Sequence, residues 1–257
     1  MELRHLGSTG IDVSPLGLGT VKIGRNEQVK YPQGFEIPGD QAVRRLFELA
    51  RELGINFIDT APAYGSSEER LGQLLPNRND WVIMTKVGEI FEKGESRFDF
   101  SAGHTRRSVE NSLSKLRRDH VDIVLVHSDG NDMDIINNRG ALEELHRLKQ
   151  EGLIRAYGMS TKTVEGGSWI VEHTDVVMAT YNLETDVELP VIERAHELNK
   201  GVVIKKGLQS GHAASVEDAF RLVLTRPGVS SMIVGTINAD HLRSNVDACN
   251  RVINNMV

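Results

Sequence analysis

Four side chains in this sequence could exchange protons or fix charge at the ends of apolar runs. Asp59 closes NFI, Lys86 closes WVIMT, His127 closes VDIVLV, and Tyr64 follows Asp59 by five residues. Each alone has an ordinary explanation. An aspartate caps a helix, a lysine sits at a solvated rim, a tyrosine packs a loop, and a histidine hydrogen-bonds within a core. Together they make a tuned acid. A free phenol titrates near ~10, too high to exchange protons readily at neutral pH. An ammonium beside its hydroxyl favours the phenolate and is expected to pull that pKa down. Asp59 then holds Lys86 charged and in place, while His127 orients a substrate oxygen or relays the proton. Such a group can protonate an oxygen that is becoming an alkoxide, as a carbonyl does when it takes up hydride.

These groups meet only if the strands carrying them end on one face. Apolar runs alternate with amphipathic segments along the chain: LGLGT (16–20), NFIDT (56–60), WVIMTK (81–86), VDIVLVH (121–127), IRAYGMS (154–160), VVMATYN (176–182), GVVIKK (201–206) and SMIVGT (231–236). Several are continuously apolar, as parallel strands covered on both faces are. Val43, Leu46, Phe47, Ala50 and Leu53 share one helical face after Asp40, an expected N-cap, with Gly54 as the stop. Val109, Leu113 and Leu116 repeat the spacing, and Pro190 falls in a first turn that needs no N–H donor. Eight such units in 257 residues is the size of an α/β fold of the (β/α)8 TIM-barrel type, so one barrel domain over 1–257 is expected. A doubly wound open sheet is the competitor, but its G-x-G-x-x-G turn is missing: LGLGT runs on into Val-Lys-Ile-Gly. Residues 2–14 read as a β-hairpin around Ser-Thr-Gly that caps the barrel floor.

Composition narrows the classes of function. Thirty basic residues against 36 acidic ones give a net charge of −6, which argues against nucleic acid or anionic lipid as the main partner. The single cysteine, Cys249, can build neither an internal disulfide nor a Cys-rich metal site. No stretch approaches the about 18 apolar residues of a membrane span, and the first residues lack a signal-like apolar run. A soluble, cytoplasmic enzyme acting on small molecules is expected, with no metal.

Four stretches, FIDTAPAYGSSEERLG (57–72), TKVG (85–88), NSLSKLRRDHVDIVLVHSD (111–129) and VGTINADHLRSNVDA (234–248), resemble the signatures of the aldo-keto reductases. The resemblance runs in order over essentially the whole chain. It implies a (β/α)8 barrel that reduces aldehydes and ketones, or oxidises alcohols, with NADPH or NADH. Carried over by motif, Tyr64 is the proton donor, Lys86 and Asp59 tune it, and His127 orients the carbonyl. The resemblance also implies a cofactor site of Gly19, Thr20, Val21, Asp59, Ser160, Thr161, Met178, Lys205, Leu208, Gly235, Thr236, Ile237, Asn238, His241, Arg243 and Asn245. Ser160 matches the serine that holds the carboxamide. Three positions depart from the family: Thr161 stands for an asparagine, Met178 for a glutamine, and Lys205 for the aromatic ring under the nicotinamide. Lys205 could lay its methylenes against that ring, or it and Lys206 could form a solvated rim.

Asn238 opens the last helix, where free backbone N–H groups attract an anion. His241 or Arg243 would face a 2′-phosphate there, favouring NADPH. The arginine that often holds this phosphate is His241 here, and a neutral imidazole holds it less firmly, so NADH stays possible. Tyr31, Phe35, Phe91 and Phe98, on the long connections 21–39 and 88–104, are expected to line the substrate pocket. With the sequence ending at Val257, the resemblance implies a pocket open on one side and broad carbonyl acceptance. Two alternatives stand beside the reductase. One is a Schiff-base lyase or aldolase using Lys86 or Lys205, and the other is a non-catalytic NADPH sensor.

Overall fold

A computed structural model describes residues 1–29, 31 and 34–255; the chain end at Val257 lies outside them. Eight parallel strands close in sequence order: β1 (Leu16–Gly19), β2 (Phe57–Asp59), β3 (Val82–Val87), β4 (Val121–His127), β5 (Ile154–Ser160), β6 (Val176–Thr180), β7 (Gly201–Lys205) and β8 (Val229–Val234), with β8 bonded back to β1. Around them lie α1 (Asp40–Glu52), α2 (Ser67–Leu74), α3 (Ala102–Leu116), α4 (Ala141–Gln150), α5 (Val164–His173), α6 (Leu189–Glu197), α7 (Val216–Leu224) and α8 (Ala239–Asn254). Closure excludes the open sheet. The expected strand limits hold within two residues. β8 stops at Val234, so Gly235 and Thr236 belong to the loop that follows.

Alternation along the strands sorts the core into two shells. Ile58, Ile83, Val124, Val126, Val177, Val202 and Ile204 pack outward beneath the helices. Phe57, Met84, Ile123, Leu125, Ala156, Val176, Met178 and Val203 pack together inside. The next positions of the same inward parity are Asp59, Lys86, His127, Ser160 and Lys205. One period-2 pattern therefore fills the barrel with apolar side chains and ends in a polar layer at its C-terminal mouth. The N-terminal hairpin pairs Arg4–His5 with Asp12–Val13 and sends Leu6, Ile11 and Val13 into the inner cluster, sealing the opposite end as expected.

Two local expectations change. The N-cap of α1 is Gly39 rather than Asp40, whose carboxylate is taken by Arg70 at 2.8 Å. The connection after β3 carries a hairpin, Glu89–Glu92 against Glu95–Phe98, turned by Lys93 and Gly94 at positive φ. Its apolar–polar alternation around Lys-Gly is a hairpin signal that competes with reading the segment as a plain loop. Among the described residues, no helix is long and apolar enough to cross a membrane.

Candidate active site

Tyr64 sits on a one-turn 3-10 helix, Pro62–Tyr64, just past β2, and Gly65 turns the chain sharply behind it at φ +63°. A Cβ on Gly65 would lie 2.2 Å from the Gly24 carbonyl oxygen. That close approach pins the Tyr64 turn against the first βα connection. Thr20 fastens the end of β2: its N–H and hydroxyl both donate to the Asp59 carbonyl, at 3.0 and 2.8 Å. The site chemistry centres on Lys86, which is 2 % exposed. Its ammonium donates to the Asp59 carboxylate, to the Thr60 carbonyl at 3.0 Å and to Tyr64 Oη at 3.2 Å. His127 stands across from Tyr64, ring edge to face, with centroids 6.3 Å apart. The four sequence-derived residues thus converge on one cleft.

Burial and the Asp59 charge push the Tyr64 phenol up to about 12, and Lys86 offsets only part of this. The expected net lowering is therefore overturned: Lys86 acts in the anticipated direction but is outweighed, and the resting tyrosine is a protonated acid. Burial alone would lower the Lys86 pKa; Asp59 and Tyr64 reverse that and hold it above the ordinary lysine value. That direction works against Lys86 as a Schiff-base nucleophile, which must first lose its proton. Burial likewise lowers His127, helped by Lys86 and opposed by Glu89, so its ring is neutral near pH 7. Glu89 Oε2 lies 2.7 Å from His127 Nδ1 but out of line for a directed hydrogen bond, so the contact is chiefly electrostatic. Despite burial, His127, Ser96 and Arg25 draw the Glu89 carboxyl down to about 2. Its constant negative charge favours the imidazole proton on Nδ1, leaving Nε2 for a ligand.

From Tyr64 the cleft, about 680 Å³, crosses the mouths of β5–β8 to the start of α8. Gly19, Val21, Ser160, Met178, Lys205, Leu208, Gly235, Thr236, His241 and Asn245 line it as expected, as does Thr20. Four of the expected cofactor positions do not. Thr161 is buried and donates its hydroxyl to Glu188 at 2.9 Å. Ile237 packs on the apolar core. Arg243 is exposed outside the cleft lining. Asn238 caps α8, its side-chain oxygen accepting from the N–H groups of Asp240 and His241 at 2.8 and 3.1 Å. Two donors expected for an external anion are thus already taken. Lys205 is no solvated rim charge: its ammonium donates to Ser160 Oγ at 2.9 Å and to the Thr161 carbonyl at 2.5 Å. Burial pulls its pKa down to about 8.

Of the four expected substrate rings, only Tyr31 lines the cleft. Phe35 packs edge-on against Tyr31, and Phe91 lies under the Arg25 guanidinium at 3.4 Å. Phe98 stacks on Phe100 at a separate surface hollow. The strand alternation of the Glu89–Phe98 hairpin decides where Phe91 and Phe98 point. The same hairpin brings in Glu89, which sequence reasoning missed. Lys22 was also missed. It is 5 % exposed, its ammonium donates to the Gly235 carbonyl at 3.2 Å and faces the Tyr31 ring, and burial lowers its pKa to about 8.

The model of the Aldo/keto reductase family matches residues 15–218. The fold superposes with a TM-score of 0.91 on a crystal structure from Pseudomonas aeruginosa, provisionally assigned as an aldo-keto reductase. That protein is 53 % identical, covering 98 % of this chain and 95 % of the other. An aldo-keto reductase from Bacillus halodurans, solved in its holo form, superposes with a TM-score of 0.80 at 25 % identity, covering 96 % and 90 %. L-galactose dehydrogenase of Arabidopsis thaliana is 29 % identical over 293 residues, 96 % of this chain and 88 % of the relative. A closed eight-stranded barrel, a family model over most of its length and relatives aligned nearly end to end agree: the chain belongs to the aldo/keto reductase family.

Proposed function

We propose that this oxidoreductase is a nicotinamide-dependent carbonyl reductase that takes aldehydes and ketones to alcohols, with Tyr64 as the proton donor. The observation that carries this reading is the Asp59–Lys86–Tyr64 chain, in which one ammonium bonds a buried carboxylate and a phenol at the head of a long cleft. The fit of a dinucleotide rests on that cleft's shape. Its volume exceeds what a small carbonyl compound needs, and its far end offers Thr236, His241 and Asn245 at a helix start. Ser160, Met178 and Lys205 would hold the redox end; Thr20, Leu208 and Gly235 would border the middle. When bound, nicotinamide supplies the hydride.

The chain's own residues manage the proton. Tyr64 enters protonated and donates to the substrate oxygen as negative charge grows there. Lys86 steadies the phenolate left behind, and Asp59 with the Thr60 carbonyl keeps Lys86 charged and aimed. His127, its proton held on Nδ1 beside Glu89, presents Nε2 as an acceptor, which receives the hydroxyl of the alcohol rather than holding the carbonyl oxygen. At the adenosine end, His241 is the group placed to meet a 2′-phosphate. With that one group there, NADPH is the preferred cofactor and NADH is accepted. Tyr31 and Arg25 on the first connection border the substrate end, a wall loose enough for broad carbonyl acceptance. The barrel acts as one cytoplasmic catalytic domain on small molecules.

The test is Tyr64→Phe. Fluorescence titration should show unchanged NADPH affinity, while turnover of small aldehydes falls about a thousandfold, within the range for loss of a positioned acid. Turnover within tenfold of the parent would remove Tyr64 from the role.

A further inference from the structure

The cleft holds an ammonium whose charge the fold leaves without a counter-ion. Among the described residues, Lys205 has no carboxylate within ion-pair distance. Its partners are the Ser160 hydroxyl and the Thr161 carbonyl, both uncharged. Glu188, the acid whose field it feels most, is already committed to the Thr161 hydroxyl at 2.9 Å and the Thr180 N–H at 2.8 Å. Lys22, also unpaired, is at least covered by the Tyr31 ring. Partial withdrawal of a charge from water without a partner is costly. A charge kept at that cost inside a cleft marks a candidate functional group.

Position decides which ligand. Lys205 ends β7 on the inward parity and bonds Ser160, which is the register partner of His127. Its charge reaches far enough to lower the His127 pKa. Tyr64 and His127 set where a reacting oxygen lies, and a hydride donor must come within about 3–3.5 Å of the carbon attached to it. From there the cleft continues over Ser160, Met178 and Lys205 toward Gly235 and Asn245. A redox ring delivering hydride therefore lies beside the Lys205 ammonium. The reduced nicotinamide ring is neutral. Loss of hydride, one hydrogen nucleus with two electrons, leaves it with a unit positive charge.

We propose that Lys205 is the residue that discriminates between the redox forms of the cofactor, its ammonium disfavouring the cationic oxidised ring so that the cleft loads reduced nicotinamide and sheds the oxidised form. The inference rests on the reductase reading above. The effect lies on loading and release. The same repulsion opposes the build-up of ring charge during hydride transfer, where the growing charge on the substrate oxygen offsets it. Two unit charges at neighbouring positions in a half-open cleft repel, and because Lys205 sheds its proton at about 8, the affinities at neutral pH separate by about tenfold at most.

The experiment is equilibrium titration at neutral pH with NADPH and with NADP+, on the parent, Lys205→Met, Lys205→Gln and Lys205→Arg. Glutamine keeps hydrogen-bond donors for Ser160 and Thr161, so it stands in if methionine impairs folding. Methionine and glutamine should cut the ratio of the NADP+ to the NADPH dissociation constant about tenfold, chiefly by tightening NADP+. Arginine should keep the parental ratio. A ratio within twofold of the parent in the uncharged variants overturns the proposal, as does equal loosening of both forms. If the parent binds neither cofactor, the reductase reading itself fails and takes the inference with it.

Discussion

Replacing Lys86 by methionine removes the ammonium that touches Tyr64 while keeping the length of the side chain. Nζ and Oη are 3.2 Å apart. At that separation, with an effective dielectric of about 20, an ammonium and a phenolate attract by about 5 kcal/mol. That is close to four powers of ten in acidity, and Tyr64 already titrates at about 12 with Lys86 present. Proton transfer is partial in the transition state, so about half of the loss should be expressed there. The expected fall in kcat for carbonyl reduction is then about a hundredfold. Methionine also strands Asp59, which is 4 % exposed, as a buried anion without its partner. Breaking a buried pair in this way costs about 3–5 kcal/mol of stability. The assay therefore couples steady-state kinetics at saturating cofactor to a thermal melt, and adds the double variant Asp59→Asn/Lys86→Met, which removes both charges. The double variant should regain most of the lost stability and none of the lost rate. A kcat within tenfold of the parent in either protein refutes the argument, because it would mean that the acid does not feel this ammonium.

The pH dependence follows from the same tyrosine. Its raised pKa keeps the acid form loaded, so kcat for reduction should stay flat to about pH 9, while alcohol oxidation, which needs the phenolate, rises with pH; a fall in reduction beginning near neutrality would place the acid on another group. Gly65→Ala tests how the tyrosine is positioned. A Cβ there meets the Gly24 carbonyl oxygen in a backbone region reserved for glycine, and the strain of about 1–3 kcal/mol should lower Tm and depress kcat more than NADPH affinity. A parental melt and rate would show that the turn is not what places Tyr64.

The barrel was legible because its signal is repeated eight times and each strand carries its own register. Once Met84 and Leu125 are inward, Lys86 and His127 must be inward too, so the candidate site residues on the strands could be read from apolar spacing and strand ends. What escaped lies on the connections. Phe91 and Phe98 were assigned to the pocket by residue type, but the Glu89–Phe98 hairpin turns one onto Arg25 and the other onto Phe100. Asn238 was legible as a cap, yet capping itself uses the donors that had been assigned to an anion. The Tyr64 pKa departs from its expectation for a different reason. The sign of the Lys86 effect can be read from residue types, whereas the larger opposing effect of burial depends on how the loops close over the ring.

The mouth of the barrel is best understood as the last layer of its core, built on the same alternation as the apolar layers beneath it. On the β2–β4 side the layer's charges are answered: Asp59 by Lys86, and the Glu89 carboxylate beside the neutral His127 by Arg25 at 3.7 Å. On the β7 side the Lys205 ammonium bonds only neutral groups, and Glu188 reaches it through its field alone. Charge that is compensated holds groups in place, which a proton donor needs before substrate arrives. Charge that is left uncompensated changes its energy with the ligand, because only the ligand remains to answer it. In the proposed reductase, the difference between the two sides of one polar layer separates the part of the cleft that would handle the proton from the part that would respond to the charge of what is bound.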